Sequence, residues 1–252
     1  MMTATLVIGA LALVVAGLVK GVTGMGLPTA GIGLLSLVMS PAYAAAMIVV
    51  PSAVTNVWQF AYGARPMATA RRFIGLSVGL VVGTLLGDRF LGGLASPAAL
   101  PALGGVLALY GVLGLTRFAL VVPPRLESWL SPLIGLLTGL VTGTTGVSVI
   151  PAAPYLQALG LGRDDLVQAL GLTFTVSTFA LAATLALPGG ATQGLFADPA
   201  LVGASLAALL PALLGMELGR RARLRMSQTL FRKVFFGGLA ALGAYMLVRP
   251  LL

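Results

Sequence analysis

Leu18-Val19-Lys20-Gly21-Val22-Thr23-Gly24-Met25-Gly26 separates two apolar runs, 3–19 and 27–39, and it has an echo 122 residues later. There Leu140-Val141-Thr142-Gly143-Thr144-Thr145-Gly146 separates the runs 130–142 and 147–159. A membrane-spanning helix needs about 20 apolar residues, so 27–39, 130–142 and 147–159 are short for the purpose. Backbone that leaves the helix inside hydrocarbon must be buried in protein or line an aqueous cavity, because unpaired N–H and C=O groups are costly there. Both Gly/Thr breaks are therefore expected to face inward.

The rest of the chain makes a lipid setting the natural one. Its 252 residues are 58% hydrophobic and only 8% charged, against about 25% charged in a soluble domain. Further apolar runs cover 42–62, 73–91, 98–116, 166–187, 199–218 and 234–248. The expected fold class is all-α: a polytopic membrane helix bundle of two inverted-topology repeats, with helices broken or re-entrant at the Gly-rich segments. The first residues lack the basic flank of a secretory signal, so 3–19 is expected to be retained.

Two ordered matches define the repeats, 1–124 and 125–252. Gly21-x-x-Gly24 falls on Gly143-x-x-Gly146, and Gly83-Thr84-Leu85-Leu86-Gly87 falls on Pro211-Ala212-Leu213-Leu214-Gly215 at an offset of 128. A longer connector at 187–199 accounts for the added residues. Arg65, Arg71 and Arg72 mark 63–72 as cytoplasmic, and Arg220, Arg221, Arg223, Arg225, Arg232 and Lys233 do the same for 219–233. Their repeat counterparts, 187–199 and 88–97, carry no net positive charge and fall outside. Equivalent loops on opposite sides make the repeats inverted, each with an odd number of crossings. Five crossings per half, favoured here, place both termini outside and bring the breaks toward the midplane. Alternatively, the pairs flanking each break dip in and return, leaving three.

The absence of Cys and His removes thiolate, zinc and Ser-His chemistry. No paired Asp motif suits an intramembrane aspartyl enzyme, and no catalytic residue, cofactor or metal is expected. The net charge of +9 is concentrated beside apolar spans, which suits anionic membrane lipid as a partner and not nucleic acid.

Candidate binding residues cluster at the breaks. A helix restarts near Pro28 and near Ser148, and a helix N-terminus suits an anion. Lys20 abuts the first break; it is either a helix-end lysine reaching the interface or a cation presented to a bound anion. Thr23, Gly24, Thr145, Gly146 and Ser148 supply hydroxyls and open backbone. Asn56 and Gln59 share a helix face with Ser52 one turn before, and are read either as interhelical hydrogen bonders or as site residues. The second half answers Asn56 and Gln59 with Thr173, Thr175, Ser177 and Thr178, plus Gln168 near the entry of that helix, and Gln157 is another polar residue close to a helix break. Gly79, Gly83 and Gly87, with Gly215 and Gly219, form small-residue stripes for close helix packing. Asp88 and Glu217 read as interfacial partners of Arg89 and Arg220, and Arg163-Asp164-Asp165 as a loop capping a helix from Leu166.

With these residues in view, the chain resembles the TauE/SafE family of sulfite and sulfonate exporters. The resemblance rests on Gly17-x3-Gly21-x2-Gly24-x-Gly26 and Gly139-x3-Gly143-x2-Gly146, with Pro151-x2-Pro154-Tyr155-Leu156, Ala169-Leu170-Gly171 and the Gly83-x3-Gly87 stripe. Val147-Ser148-Val149 stands where many relatives have three glycines, and Pro28 stands alone where they have Pro-x-Leu. The resemblance implies a secondary transporter in the cytoplasmic membrane that exports a small organosulfur anion such as sulfite or sulfoacetate, with its pathway near Gly21–Gly26 and Gly143–Ser148. Another small carboxylate-type anion, or an accessory subunit without a pathway, are the alternatives, and a homo-oligomer is left open.

Overall fold

The computed structural model describes residues 2–116, 120–187, 194, 198–225 and 227–249, with the backbone alone for 2–6 and 228. Among these residues every regular element is helical. The order is α1 (Met2–Thr23), α2 (Leu27–Leu35), α3 (Pro41–Ala61), α4 (Pro66–Arg72), α5 (Ile74–Phe90), α6 (Ala99–Leu115), α7 (Pro124–Thr145), α8 (Ala152–Ala158), α9 (Arg163–Ala186), α10 (Pro199–Ala207), α11 (Leu209–Arg223) and α12 (Gln228–Val248). Among the described residues five helical stretches are long and apolar enough to cross a membrane: Pro41–Ala61, Ile74–Ala95, Arg163–Ala186, Pro199–Arg223 and Thr229–Val248.

Local chemistry sets the helix ends. Proline opens α3, α4, α7 and α10, where its missing N–H has no helical partner to lose. Ser40, Asp198 and Ser227 cap α3, α10 and α12 through their side chains. At the breaks Gly24, Gly26 and Gly146 have φ of 78°, 91° and 74°, a left-handed backbone that glycine adopts without a Cβ penalty. Gly24 N–H donates to the Lys20 carbonyl and Gly146 N–H to that of Thr142, both at 2.7 Å. The two breaks thus leave the helix by the same turn.

Three sequence expectations are corrected. The second helix of each pair is short: α2 has nine residues and α8 seven, about 14 and 10 Å at 1.5 Å per residue. Neither crosses about 30 Å of hydrocarbon, while their partners α1 and α7 run 22 residues each. At each break, therefore, a 22-residue helix is followed by one too short to cross. The restart expected near Ser148 comes at Ala152, because Ile150 precedes Pro151 and is biased away from helix. The helix expected from Leu166 starts at Arg163 and holds Asp164 and Asp165 in its first turn, where carboxylates suit the helix dipole. Most of the connector 187–199 lies outside the described residues.

Glycines build the helix seams. A Cβ at Gly17 or Gly21 would meet the carbonyl of Ala212 or Met216, and one at Gly215 or Gly219 that of Val14 or Leu18. Numbers rise together, so α1 and α11 run parallel. The seam of α5 and α7 repeats this, with Gly79, Gly83 and Gly87 against Pro132, Leu136 and Leu140. Backbone-to-backbone contact of this kind holds helices together where lipid removes the hydrophobic drive between them. In the centre α3 and α9 run antiparallel, joined by Gln59 to Val167 and by Asn56 to Thr178. At the side α6 and α12 also run antiparallel, Gly104 against Gly243 and Gly111 against Ala240. Val78, Leu85, Leu210, Leu214 and Val234 stay exposed on the perimeter, the apolar surface that lipid covers.

These seams fix the height of the breaks. A Cβ on Gly21 would meet Arg220 N at the end of α11, and one on Gly143 would meet Asp88 N at the end of α5. The breaks therefore lie toward opposite ends of the bundle instead of face to face at mid-depth. What meets in the middle is chain beside them: the Lys20 side chain from the first, and Gly146 and Ser148 from the second.

Candidate functional site

Proline 51 shapes the centre of α3. Lacking an N–H, it leaves the Met47 carbonyl without its helical donor. Ser205 of α10 supplies one, Oγ to Met47 O at 3.0 Å, and accepts Val50 N–H at 3.1 Å. One residue beyond Pro51, Ser52 is 1% exposed and its hydroxyl has no hydrogen-bond partner among the described residues. A buried polar group left unpaired costs about 1–3 kcal/mol.

Ser52 lines a small cavity in the middle of the bundle with Pro28, Thr142, Gly146, Ser148 and Thr178. Its free space is about 10 Å³, room for one water. Ser177 Oγ lies 2.9 Å from Ser148 Oγ. Thr142 and Thr178 donate back to the preceding turns, to Thr138 O at 2.8 Å and Phe174 O at 2.7 Å.

Lys20 reaches this group from α1. It is 4% exposed, so it does not extend to an interface. Its Nζ donates to Thr55 Oγ1 at 3.0 Å and to Asn56 Oδ1. Asn56 Nδ2 in turn donates to Thr178 Oγ1 at 3.3 Å. Both acceptors of the ammonium are neutral, and among the described residues no carboxylate forms an ion pair with it. A cation so placed is a costly feature of a membrane protein and marks a functional position.

A second, larger space of about 690 Å³ opens at the end of the bundle where α9 begins and α11 finishes, with Thr23, Gly24, Tyr110, Gln157, Arg223 and Arg232 in its wall. Val22 and Leu170 also border it. Lys20 lies between the two spaces: the turn that follows it lines this vestibule, and its head group ends on the amide bonded to the cavity wall.

The structure divides the residues expected at the site. Lys20, Asn56, Gly146 and Ser148 gather at the centre. Thr23, Gly24 and Gln157 line the vestibule, Thr23 also holding the break through Val19 O at 2.9 Å and Met25 O at 2.7 Å. Thr145 is buried outside the cavity lining and shapes the second break, donating to Val141 O at 2.7 Å and accepting Val147 N–H at 3.2 Å. Two residues belong elsewhere. Gln59 donates to Val167 O at 2.9 Å. Gln168 donates to Phe60 O at 3.0 Å and accepts from Arg65 N and Thr69 Oγ1, each at 3.3 Å, so both glutamines clamp α3 and α4 to α9. Nearby, Arg72 forks Glu127 at 2.6 and 2.8 Å, and that bond holds the guanidinium above its usual pKa. Glu217 pairs with Arg220 and Arg221 as its position suggests, whereas Asp88 is buried.

Sequence reasoning names Ser52, Thr142 and Thr178 beside the candidate residues without placing them in the site. The 122-residue offset itself pairs Asn56 with Thr178 and Lys20 with Thr142, and was the signal available. The lipid-facing loop expected at 219–233 is corrected at Arg223 and Arg232: both are half-buried and line the vestibule.

A family model described as sulfite exporter TauE/SafE matches residues 9–246. The chain belongs to that family. The match runs from the middle of α1 to the end of α12 and so takes in the cavity, the vestibule and both breaks. TauE/SafE membership and the apolar helices together make this a multi-pass membrane protein of a transporter family. No curated protein and no solved structure matches the chain.

Proposed function

We propose that this TauE/SafE protein is a secondary transporter that exports a small organosulfur anion, such as sulfite, sulfoacetate or a related sulfonate, across the cytoplasmic membrane. The observation that carries the reading is Lys20, a buried ammonium with only neutral partners, next to a cavity whose Ser52 hydroxyl has none. An anion seated there supplies the missing counter-charge and the missing acceptor together. The cavity holds one water, so the anion enters only when the surrounding helices part.

Two halves, 1–124 and 125–252, rocking about the α3–α9 centre give alternating access of the kind built from inverted repeats. Antiparallel pairing of α3 with α9, and of α6 with α12, supports the inversion. The arginine-rich vestibule suits the cytoplasmic side by the positive-inside rule. A membrane potential that is negative inside favours outward movement of an anion by about 2.3 kcal/mol per charge per 100 mV, so uniport suffices for export.

The test uses liposomes loaded with sulfite or sulfoacetate. Vesicles carrying the protein release at least one of these anions faster than empty vesicles, and an inside-negative potassium diffusion potential accelerates the release. Equal release from both kinds of vesicle, for every organosulfur anion tried, contradicts the reading.

A further inference from the structure

Arg223, the last residue of α11, and Arg232, in the first turns of α12, approach the vestibule from two helices and are half-buried there, while the exposed Arg163 at the start of α9 stands at its rim. Among the described residues neither Arg223 nor Arg232 forms a salt bridge; the pairs present are Arg72 with Glu127 and Glu217 with Arg220 and Arg221. Among the described residues no carboxylate lines this space. Tyr110, Phe231, Phe235 and Phe236 form much of the remaining wall, and their rings hold each other in place, Tyr110 on Phe236 at 5.1 Å and Phe231 on Phe235 at 5.8 Å. Low-dielectric walls around charges of one sign focus the field and raise the local concentration of counter-ions. Guanidinium forks suit the flat two-oxygen face of an oxyanion. At about 690 Å³ the space falls within the usual range for a small-molecule site, whereas the inner cavity admits one water.

We infer that Arg223 and Arg232 form a capture subsite for a free oxyanion, separate from the inner cavity and preceding it on the route. The inference rests on the anion-transport reading for its purpose, though its binding step stands without it. Here the anion is held in an aqueous, cationic mouth, and Lys20 receives it once the turn at Thr23–Met25 moves. The subsite sets the apparent affinity for substrate, and the inner cavity sets passage.

Binding is measured by isothermal titration of the full-length protein in phosphatidylcholine nanodiscs, with sulfite and, as a tetrahedral probe that does not oxidise, sulfate. Wild type binds both. The double variant Arg223→Gln/Arg232→Gln binds about tenfold or more weakly, with unchanged thermal unfolding. Arg225→Gln, which removes an exposed charge outside the vestibule, binds as wild type. Added salt weakens binding to wild type more than binding to the double variant, which keeps the exposed Arg163 at the rim. Unaltered binding by the double variant, or no binding of either anion to wild type, overturns the inference. Loss of sulfite binding when phosphatidylglycerol is added to the disc assigns the arginines to a lipid headgroup and overturns it equally. A protein that binds through these arginines yet releases no organosulfur anion from liposomes leaves the subsite standing and removes the transport reading.

Discussion

Asn56 and Thr178 hydrogen-bond across the middle of the bundle, Nδ2 to Oγ1 at 3.3 Å, and they stand 122 residues apart. Gly24 and Gly146 have that separation, as do Lys20 and Thr142. A residue that meets its own counterpart lies on the axis relating two halves. The seams agree: α3 meets α9 and α6 meets α12, while α1 packs on α11 and α5 on α7, so exchanging the halves leaves the pattern of principal seams unchanged. We read the chain on this basis as two inverted units joined through Asn56.

This reading predicts sidedness. α4 adjoins the start of α9 through Gln168 and Thr69, and the vestibule brings Arg163 of α9 beside Arg223, so Arg71 and Arg223 share one side. Leu91, at the far end of α5, lies on the other. The chain has no cysteine, so single-cysteine variants need no background removal. An impermeant maleimide labels Arg71→Cys and Arg223→Cys in inside-out vesicles, and labels Leu91→Cys in intact cells. Labelling of the first two from different sides contradicts the inverted arrangement.

Two buried serines separate site from scaffold. Ser52→Ala removes a hydroxyl that has no protein partner, so stability holds or rises while KM for the exported anion rises about tenfold, the scale of a hydrogen bond to a charged group. Ser205→Ala strips the donor from the carbonyl that Pro51 frees, lowering stability by about 1–3 kcal/mol and leaving KM near wild type. Thermal unfolding beside initial-rate kinetics checks the pair. The same effect from both serines contradicts the assignment.

The glycine seams make a further contrast. A Cβ at Gly139 would meet Leu80 O and Thr84 N, whereas one at Gly238 meets nothing within 4 Å. Gly139→Ala is expected to cost about 1–3 kcal/mol as overpacking. Gly238→Ala is neutral or stabilising by about 0.5–1 kcal/mol, since it restricts the unfolded chain in an open helical position. Unfolding temperatures in detergent distinguish them.

Much of the architecture was legible because hydropathy and glycine placement speak directly about helices in lipid. The apolar runs 42–62, 73–91 and 98–116 became α3, α5 and α6 nearly residue for residue. The lengths of α2 and α8 were less legible, since apolar residues outside a helix, such as Val147 and Val149, read like residues within one. Gln59, Gln168 and Asn56 gave the same signal, a polar group at membrane depth that needs a partner. Only three dimensions show that the two glutamines find theirs in backbone across α3, α4 and α9, while Asn56 receives Lys20. Lys20 itself was open between interface and interior, and its burial decides it. Arg223 and Arg232 were hidden by their neighbours, for a basic run beside an apolar helix looks the same whichever way its side chains turn.

The most direct measurement is sulfite release by Lys20→Met reconstituted in liposomes, with thermal unfolding of the same preparation. Exchanging a buried, uncompensated ammonium for an apolar chain of similar length leaves stability equal or raised. Removing the cation that answers the anion lowers the initial rate by about tenfold or more. A stable Lys20→Met protein with that loss is the predicted result; one that releases sulfite at the wild-type rate contradicts the account.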